Sequence, residues 1–307
     1  MKIQLSPIPL LDHRSKNLGD YSFWRDIRTK NKIQIHGHIF ADRDAFLALP
    51  PWERSRIRAL ACGYSSEIAV VCGLSAARLW KLPVIPHTTP TEMALPLKKR
   101  SPRKSVWPPR TVYRNAFLPT ECIIRFTKFS VTTPARTVID TARWHDFATS
   151  LAVADGFLRN HGTRKHLLRE LDRIGRAKGS AQARRVIDSA TPLSMNAAES
   201  WARAQILESH LRLSSLKVQA EIWAEGQQHF ADLLINNWLI VEVDGDQKYS
   251  GRYGSELEIT AEELRREKRL KNKGFEFLRV NWAMLQEQRF IPALVETLQR
   301  PSRRLSR

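Results

Sequence analysis

The sequence predicts an α/β domain at its C-terminal end, a mixed sheet flanked by helices, preceded by a mostly α-helical region with a small N-terminal part that carries a hairpin. Three observations carry this. From Ser194 onward the apolar pattern changes in the order helix, strand, strand, helix, strand, which suits helices packed on a mixed sheet. Earlier, apolar residues recur at helical spacing through Leu151, Ala154, Phe157 and Leu158 and again through Leu167, Leu168, Leu171 and Ile174. With 307 residues, the chain has room for two or three domains of roughly 100 to 200 residues each.

The N-terminal part, residues 1–90, is small and mostly helical over about 20 to 85. Lys32 to Phe40 reads as a short strand or hairpin wing. Pro50-Pro51-Trp52-Glu53 then starts a helix bearing Arg54, Arg56 and Arg58, with Gly63 ending it. Together these elements predict a winged-helix-like part. His36 and His38 offer two ring nitrogens without further ligands, a poor metal site. Residues 91–190 read as a basic segment followed by a helical middle domain, in which Thr133 caps a helix whose first position is Pro134. Gly175 to Gly179 is a flexible basic turn, and Thr191-Pro192-Leu193 marks the boundary of the last domain, 194–300. In that domain a helix begins over Ser194 to Glu199. Strands follow at Gln219 to Trp223, Gln228 to Ile235 and Trp238 to Asp244, then a helix over Leu257 to Lys273 and a strand over Phe275 to Val280.

Lys and Arg number 50 against 31 Asp and Glu, a formal charge of +19 and a pI near 10.3. Such an excess favours a polyanionic partner, nucleic acid first, and DNA and RNA are not separated by charge. From Met93 to Thr120 there is no acidic residue. Lys98, Lys99, Arg100, Arg103, Lys104, Arg110 and Arg114 occur there with Trp107 and Tyr113 between them. That stretch reads as a basic loop or ribbon that tracks phosphates, against a merely solubilising surface or an anionic membrane. Cys62, Cys72 and Cys122 lack CxxC spacing, and the opening Met-Lys-Ile-Gln-Leu-Ser-Pro breaks apolar character too early for a signal peptide, so a reduced, cytoplasmic protein is expected. No apolar run approaches the roughly 20 residues that span a bilayer, so no membrane partner is expected. The sequence leaves oligomeric state open, a homodimer included.

The chemistry concentrates in Ala231-Asp232-Leu-Leu-Ile235, Asn236-Asn237 and Trp238-Leu-Ile-Val-Glu242-Val-Asp244-Gly245-Asp246-Gln247-Lys248. Two apolar β-type runs flank a turn signal, yet carry Asp232, Glu242 and Asp244, which are costly in such surroundings unless something cationic meets them. An oxygen-preferring divalent ion, Mg²⁺ or Mn²⁺, is the simplest such partner, and it activates water against a phosphodiester. Glu242 and Asp244 share a strand face. A two-residue turn would pair Ile235 with Trp238 and set Asp232 on the opposite face from Glu242, so a shared site requires an odd loop or a bulge, which is the expectation here. Lys248 is placed to stabilise extra charge on a pentacovalent phosphorus, the bland alternative being an exposed ion pair. Glu199 fits both a capping box with Asn196 and a supporting role at the site. On the later helix, Glu262 to Arg269 read mostly as a solvated face. Arg279 interrupts an otherwise apolar strand, where it either pairs with the carboxylates or grips a phosphate.

Over residues 194 to 285 these elements resemble the very-short-patch-repair-like group of the PD-(D/E)XK endonuclease superfamily. The matching residues are Glu199, Ala-Asp232-Leu-Leu, Val-Glu242-Val-Asp244-Gly245, Arg266-Glu267 and Leu278-Arg279-Val280 before Trp282. The resemblance implies a nuclease-like α/β core and a metal-dependent DNA endonuclease in which Asp232 and Glu242 hold the ion and Glu199 supports them. Asp244 then stands where the superfamily usually has lysine, and Lys248 substitutes from four residues further on. The first two-thirds, through Thr133-Pro-Ala-Arg-Thr-Val-Ile-Asp140 and Leu74-Ser-Ala-Ala-Arg78-Leu-Trp-Lys-Leu-Pro83, is similar to AbiEi-type antitoxin and regulator proteins of bacteria. It implies an alternative function, a non-catalytic DNA-binding regulator whose nuclease fold is degenerate.

Overall fold

The structure, a computed structural model, describes residues 6–16, 20–85, 88–97, 101–244 and 261–300. Lys98, Lys99, Arg100, Gly245 and Lys248 lie outside the described residues. The chain divides into two units, Met1–Ala190 and Thr191–Arg307. Both mix helices and strands.

The first unit begins with strand β1 (Leu11–Asp12), helix α1 (Tyr21–Arg28) and a hairpin of β2 (Lys32–His36) and β3 (Ile39–Asp42), in the antiparallel order β1-β3-β2. The expected hairpin at 32 to 40 is therefore present. Asp42 ends it and caps helix α2 (Arg43–Leu47) by accepting from the Ala45 amide at 3.0 Å. Helix α3 (Pro51–Tyr64) starts on a proline, whose missing N–H costs nothing at that position. Ala41, Phe46 and Ile57 form the core beneath the hairpin.

A second sheet joins β4 (Val70–Val71), β5 (Thr91–Ala94), β6 (Thr111–Tyr113), β7 (Ile123–Arg125) and β8 (Ser130–Thr132) in the order β6-β5-β4-β8-β7. The expectation of a separate part ending at residue 90, followed by a basic loop, differs from this. β4 pairs with β5 and β8, so one sheet runs across residue 90. Strands of two to four residues are too short to display alternation, and β5 reads Thr-Glu-Met-Ala with its glutamate buried. Helix α4 (Gly73–Leu79) lies between β4 and β5, and helices α5 (Pro134–Trp144), α6 (Phe147–Asn160), α7 (Arg164–Ile174) and α8 (Ser180–Ser189) follow β8. α5 to α7 are the helices the sequence predicts, and α8 is an addition to them. Thr133 caps α5 and Pro134 occupies its first position.

Two buried charge clusters tie this unit together. Glu92, 2 % exposed, accepts from the Leu74 amide at 2.6 Å and from Arg114 Nε at 2.7 Å, with His145 Nε2 at 3.0 Å. A Cβ at Gly73 would stand 2.2 Å from the Glu92 carboxylate, and Gly73 has φ +53°, so both space and backbone demand glycine there. The second cluster centres on Arg136, 1 % exposed, whose Nε donates to Asp140 at 2.9 Å and whose Nη2 donates to the Phe117 carbonyl at 2.9 Å, with Glu170 at 3.8 Å. All three cysteines are free and buried, and burial pushes the Cys62 thiol up to about 12.

Burial by itself pushes the Glu92 carboxyl up, but the His145 ring and the Arg114 guanidinium outweigh it and hold the group below its ordinary value of 4.5. A depressed carboxylate contributes stability above the unfolded pKa and loses it as pH falls through the folded one. The melting temperature of Glu92→Gln should therefore lie below that of the wild type at neutral pH, the gap closing as pH drops well below 4.5. A gap independent of pH would mean that the carboxylate charge contributes nothing.

The second unit holds helix α9 (Ala197–Glu208), strands β9 (Leu216–Ala224), β10 (Gln227–Ile235) and β11 (Leu239–Asp244), helix α10 (Ala261–Asn272), strand β12 (Glu276–Asn281) and helices α11 (Trp282–Gln286) and α12 (Phe290–Gln299). The sheet order is β12-β11-β10-β9, with β11 and β12 parallel and the other pairs antiparallel. A mixed sheet flanked by helices is the architecture the sequence predicts. One layer packs Leu233, Ile235, Leu239, Val241 and Val243 with Ala198, Ala202 and Ile206 of α9 and with Phe290 and Leu294 of α12. The other packs Leu234 and Ile240 with Leu270 of α10.

Along β9 this alternation breaks. Leu216 and Val218 belong to the first layer, whereas Ala220, Ile222 and Ala224 belong to the second. Gln219 between them has φ +47°, a left-handed backbone that turns the strand over. On the partner strand the same exchange occurs around Asp232, with Ala231 in one layer and Leu233 in the other.

Candidate active site

The β10–β11 connection decides which carboxylates meet. Ile235 pairs with Leu239, Leu234 with Ile240 and Leu233 with Val241, so the loop is the odd one Asn236-Asn237-Trp238. Asn236 and Asn237 take φ values of 53° and 62°, a conformation asparagine tolerates better than most residues. Asn236 Oδ1 accepts from the Ser214 amide at 2.7 Å and hydroxyl at 3.0 Å, which pins the loop to the chain entering β9. The pairing runs to Leu233 opposite Val241, and the next residues, Asp232 and Glu242, lie near enough for the Asp232 charge to act on Glu242. The condition for a shared site is met.

Asp232 closes the ladder at the point where the strands turn over. Its Oδ2 accepts from the Val243 amide at 2.9 Å, and its Oδ1 accepts from Gln219 Nε2 at 3.1 Å. The same Gln219 amide lies 3.3 Å from Glu199 Oε2. Glu199 is 3 % exposed and also accepts from the Met195 amide at 2.8 Å and from Asn196 Nδ2 at 2.7 Å, while Asn196 Oδ1 caps the Glu199 amide at 2.9 Å. The cap is present, and through Gln219 the same carboxylate is linked to Asp232. Gln219 joins the two acids and was missed from sequence, because a glutamine inside a strand-like run gives no signal until its left-handed backbone is seen.

Glu242 meets two arginines. Arg266 Nη1 lies 3.1 Å from Oε1, and Arg279 Nε lies 3.6 Å from Oε2 while its Nη2 donates to Glu267 at 2.8 Å. The expected pairing of Arg279 with the carboxylates is present. Arg266, expected on a solvated face, instead reaches Glu242 and donates to the Phe230 carbonyl at 2.8 Å. Burial pushes the Glu242 carboxyl up; Arg266 and Arg279 pull it down and Asp232 adds to the rise, leaving it above the ordinary glutamate range.

Asp244 is exposed at the end of β11, in register with Asn281 of β12. Among the described residues no three His, Cys, Asp or Glu side chains converge as a metal-holding group. Of the expected trio Asp232, Glu242 and Asp244, the first two interact electrostatically, and Asp244 follows Glu242 by two residues at the exposed end of β11. The pair still suits a hard divalent ion: both are carboxylates, and one is held above its usual range by burial and by the other. A cation relieves both causes. His36 and His38 likewise form no such group, and His38 Nε2 sits 3.5 Å from Asp12.

In the first unit, Arg103 and Lys104 are exposed as the basic segment predicts, and Lys104 Nζ lies 6.0 Å from the Trp107 ring centroid. Among the described residues, no helix is long and apolar enough to cross a membrane. No protein-family model and no curated protein matches this chain.

Proposed function

We propose that the second unit is the core of a divalent-metal-dependent DNA endonuclease in a bacterial DNA-acting or defence-type protein. The observation that supports this reading is the odd β10–β11 loop, next to which the charges of Asp232 and Glu242 interact. Asp232 and Glu242 would hold Mg²⁺ or Mn²⁺, which would make a coordinated water more acidic and polarise the scissile phosphate. Gln219 fixes the rotamer of Asp232 and couples it to Glu199. Arg266 and Arg279 partly neutralise Glu242 and would be at hand to bind a phosphate. Asp244 orients the attacking water, and Lys248 stabilises the charge that grows on phosphorus. The resemblance of 194–285 to very-short-patch-repair-like nucleases supports the same chemistry. A winged-helix-like part before it and the AbiEi-like first two-thirds supply DNA binding in the cytoplasm.

One observation favours a second reading. Both oxygens of Glu242 face arginines and both of Asp232 accept hydrogen bonds, an arrangement that is stable without metal and suits a DNA-binding regulator with a degenerate nuclease fold. Incubating plasmid and single-stranded DNA with Mg²⁺ or Mn²⁺, wild type against Glu242→Ala, separates the two. Metal-dependent cleavage lost in Glu242→Ala is the expected result. Equal inertness of both proteins on every substrate sinks the nuclease reading and leaves the regulator.

A further inference from the structure

The edge of the five-stranded sheet carries a feature that phosphate contacts alone do not use. Strand β6 is the outermost strand of that sheet, and the segment before it folds back so that the Trp107 and Tyr113 rings stand 5.8 Å apart at an interplanar angle of 50°. The Trp107 indole N–H donates to the Pro102 carbonyl at 2.9 Å, which fixes the ring while leaving it part exposed. These rings, with Phe117 and Trp144, line a groove of about 1090 Å³. Phe117 is 53 % exposed.

Cations attend the same rings. Lys104 Nζ lies 6.0 Å from the Trp107 centroid, and the Arg114 guanidinium lies 5.3 Å from that of Trp144. Between Met93 and Thr120 the sequence contains no acidic residue. Exposed aromatic faces cost free energy in water, and Lys104 beside Trp107, in a stretch without acidic residues, disfavours a plain hydrophobic partner; Arg114 is already engaged by Glu92. What satisfies both is a flat aromatic ring joined to an anion. That is a nucleotide whose base is free to leave its stack. In a duplex the bases are covered by their neighbours, so only the phosphates would be reached; in a single strand each base offers a face to Trp107 or Tyr113 and its phosphate to Lys104.

We infer that the groove lined by Trp107, Tyr113, Phe117 and Trp144 binds single-stranded DNA by stacking unpaired bases on its aromatic rings while Lys104 and Arg103 meet the backbone. The choice of DNA rests on the nuclease reading above; the stacking does not, since no metal or cleavage enters it.

Binding is measured on the full chain in EDTA, by fluorescence anisotropy of labelled oligo-dT, the same length of oligo-rU and a duplex. Wild type is expected to prefer oligo-dT to duplex. Trp107→Ala is expected to weaken oligo-dT binding roughly ten-fold or more, in line with the loss of one stacked base, with duplex binding nearly unchanged and Trp107→Phe retaining most of the affinity. Lys104→Gln should weaken oligo-dT and duplex binding alike and flatten the salt dependence. Equal loss of oligo-dT and duplex binding in Trp107→Ala, or no loss at all, overturns the inference, and tighter binding of oligo-rU than oligo-dT overturns DNA as the ligand. Should Trp107→Ala fail to fold, photocrosslinking of wild type to oligonucleotides containing 5-iododeoxyuridine decides: adducts at Trp107 or Tyr113 support stacking, and adducts confined to other sites reject it. Because the assay contains no metal, failure of the cleavage experiment leaves this result standing, and the reverse also holds.

Discussion

Glu242→Gln is expected to lower metal-dependent cleavage by roughly a thousand-fold or more, since a ligand that holds the ion supplies several kcal/mol of transition-state stabilisation, while leaving the melting temperature of the second unit unchanged or higher. The split follows from the environment of the carboxylate. Burial and Asp232 hold the Glu242 carboxyl above its ordinary range, so its ionisation at neutral pH opposes folding. An acid whose folded pKa is raised contributes its stability at low pH and loses it as pH climbs past the unfolded value. Glutamine keeps the shape, removes the charge and leaves Arg266 and Arg279, 34 % and 45 % exposed, to be solvated by water. Wild type should therefore lose stability relative to Glu242→Gln on going from acidic to neutral pH. Thermal melting at both pH values, alongside cleavage rates, tests both halves. A variant that is inactive and also markedly less stable at neutral pH would make Glu242 a structural ion-pair partner, as the regulator reading requires.

Arg136→Met is expected to cost the first unit about 3–5 kcal/mol, the usual penalty for stripping the cation from a buried ion pair. For a unit of this size that corresponds to a fall in melting temperature of roughly 6 to 20 °C. Arg136 is 1 % exposed and Asp140 0 %, and the guanidinium bridges Asp140 of its own helix, Glu170 of α7 and the Phe117 carbonyl. Burial pushes the Asp140 carboxyl up even with Arg136 present. Without it the buried acid keeps only the Arg143 guanidinium, 3.3 Å away, so the variant should regain stability as pH falls. Adding Asp140→Asn to Arg136→Met should recover part of the loss even at neutral pH, because the under-compensated buried charge is gone. If the double variant melts lower than the single one, lost packing rather than stranded charge is the cause.

Long, periodic elements were legible in the sequence. Helices α5 to α7 followed from their apolar spacing and from Thr133 and Pro134, and the second unit's order of helix and strand followed from changes of period. The sheet of the first unit was not legible, because β4 to β8 are two to four residues long and Glu92 breaks the apolar pattern of β5 while being buried by partners up to 53 residues away in sequence. At the candidate site, parity reasoning identified what the Asn-Asn turn had to do, and the loop has the required odd length. Arg266 was misplaced on a solvated face because helical charge patterns do not reveal which carboxylate a long side chain will reach. Gln219 was invisible for a different reason. Its role depends on one backbone angle, and nothing in a glutamine's chemistry announces a left-handed residue.

The Asn236-Asn237-Trp238 loop also makes chain length itself a functional variable. Side chains along a strand alternate with a period of two, so inserting or deleting one loop residue would turn every β11 side chain to the other layer, separating Glu242 from Asp232 and lifting Val241 out of the core together. A change of two residues would preserve both. Among chains descended from this one, indels at this surface loop would therefore be filtered by whether their length is even, a constraint that no inspection of the loop's own side chains would reveal.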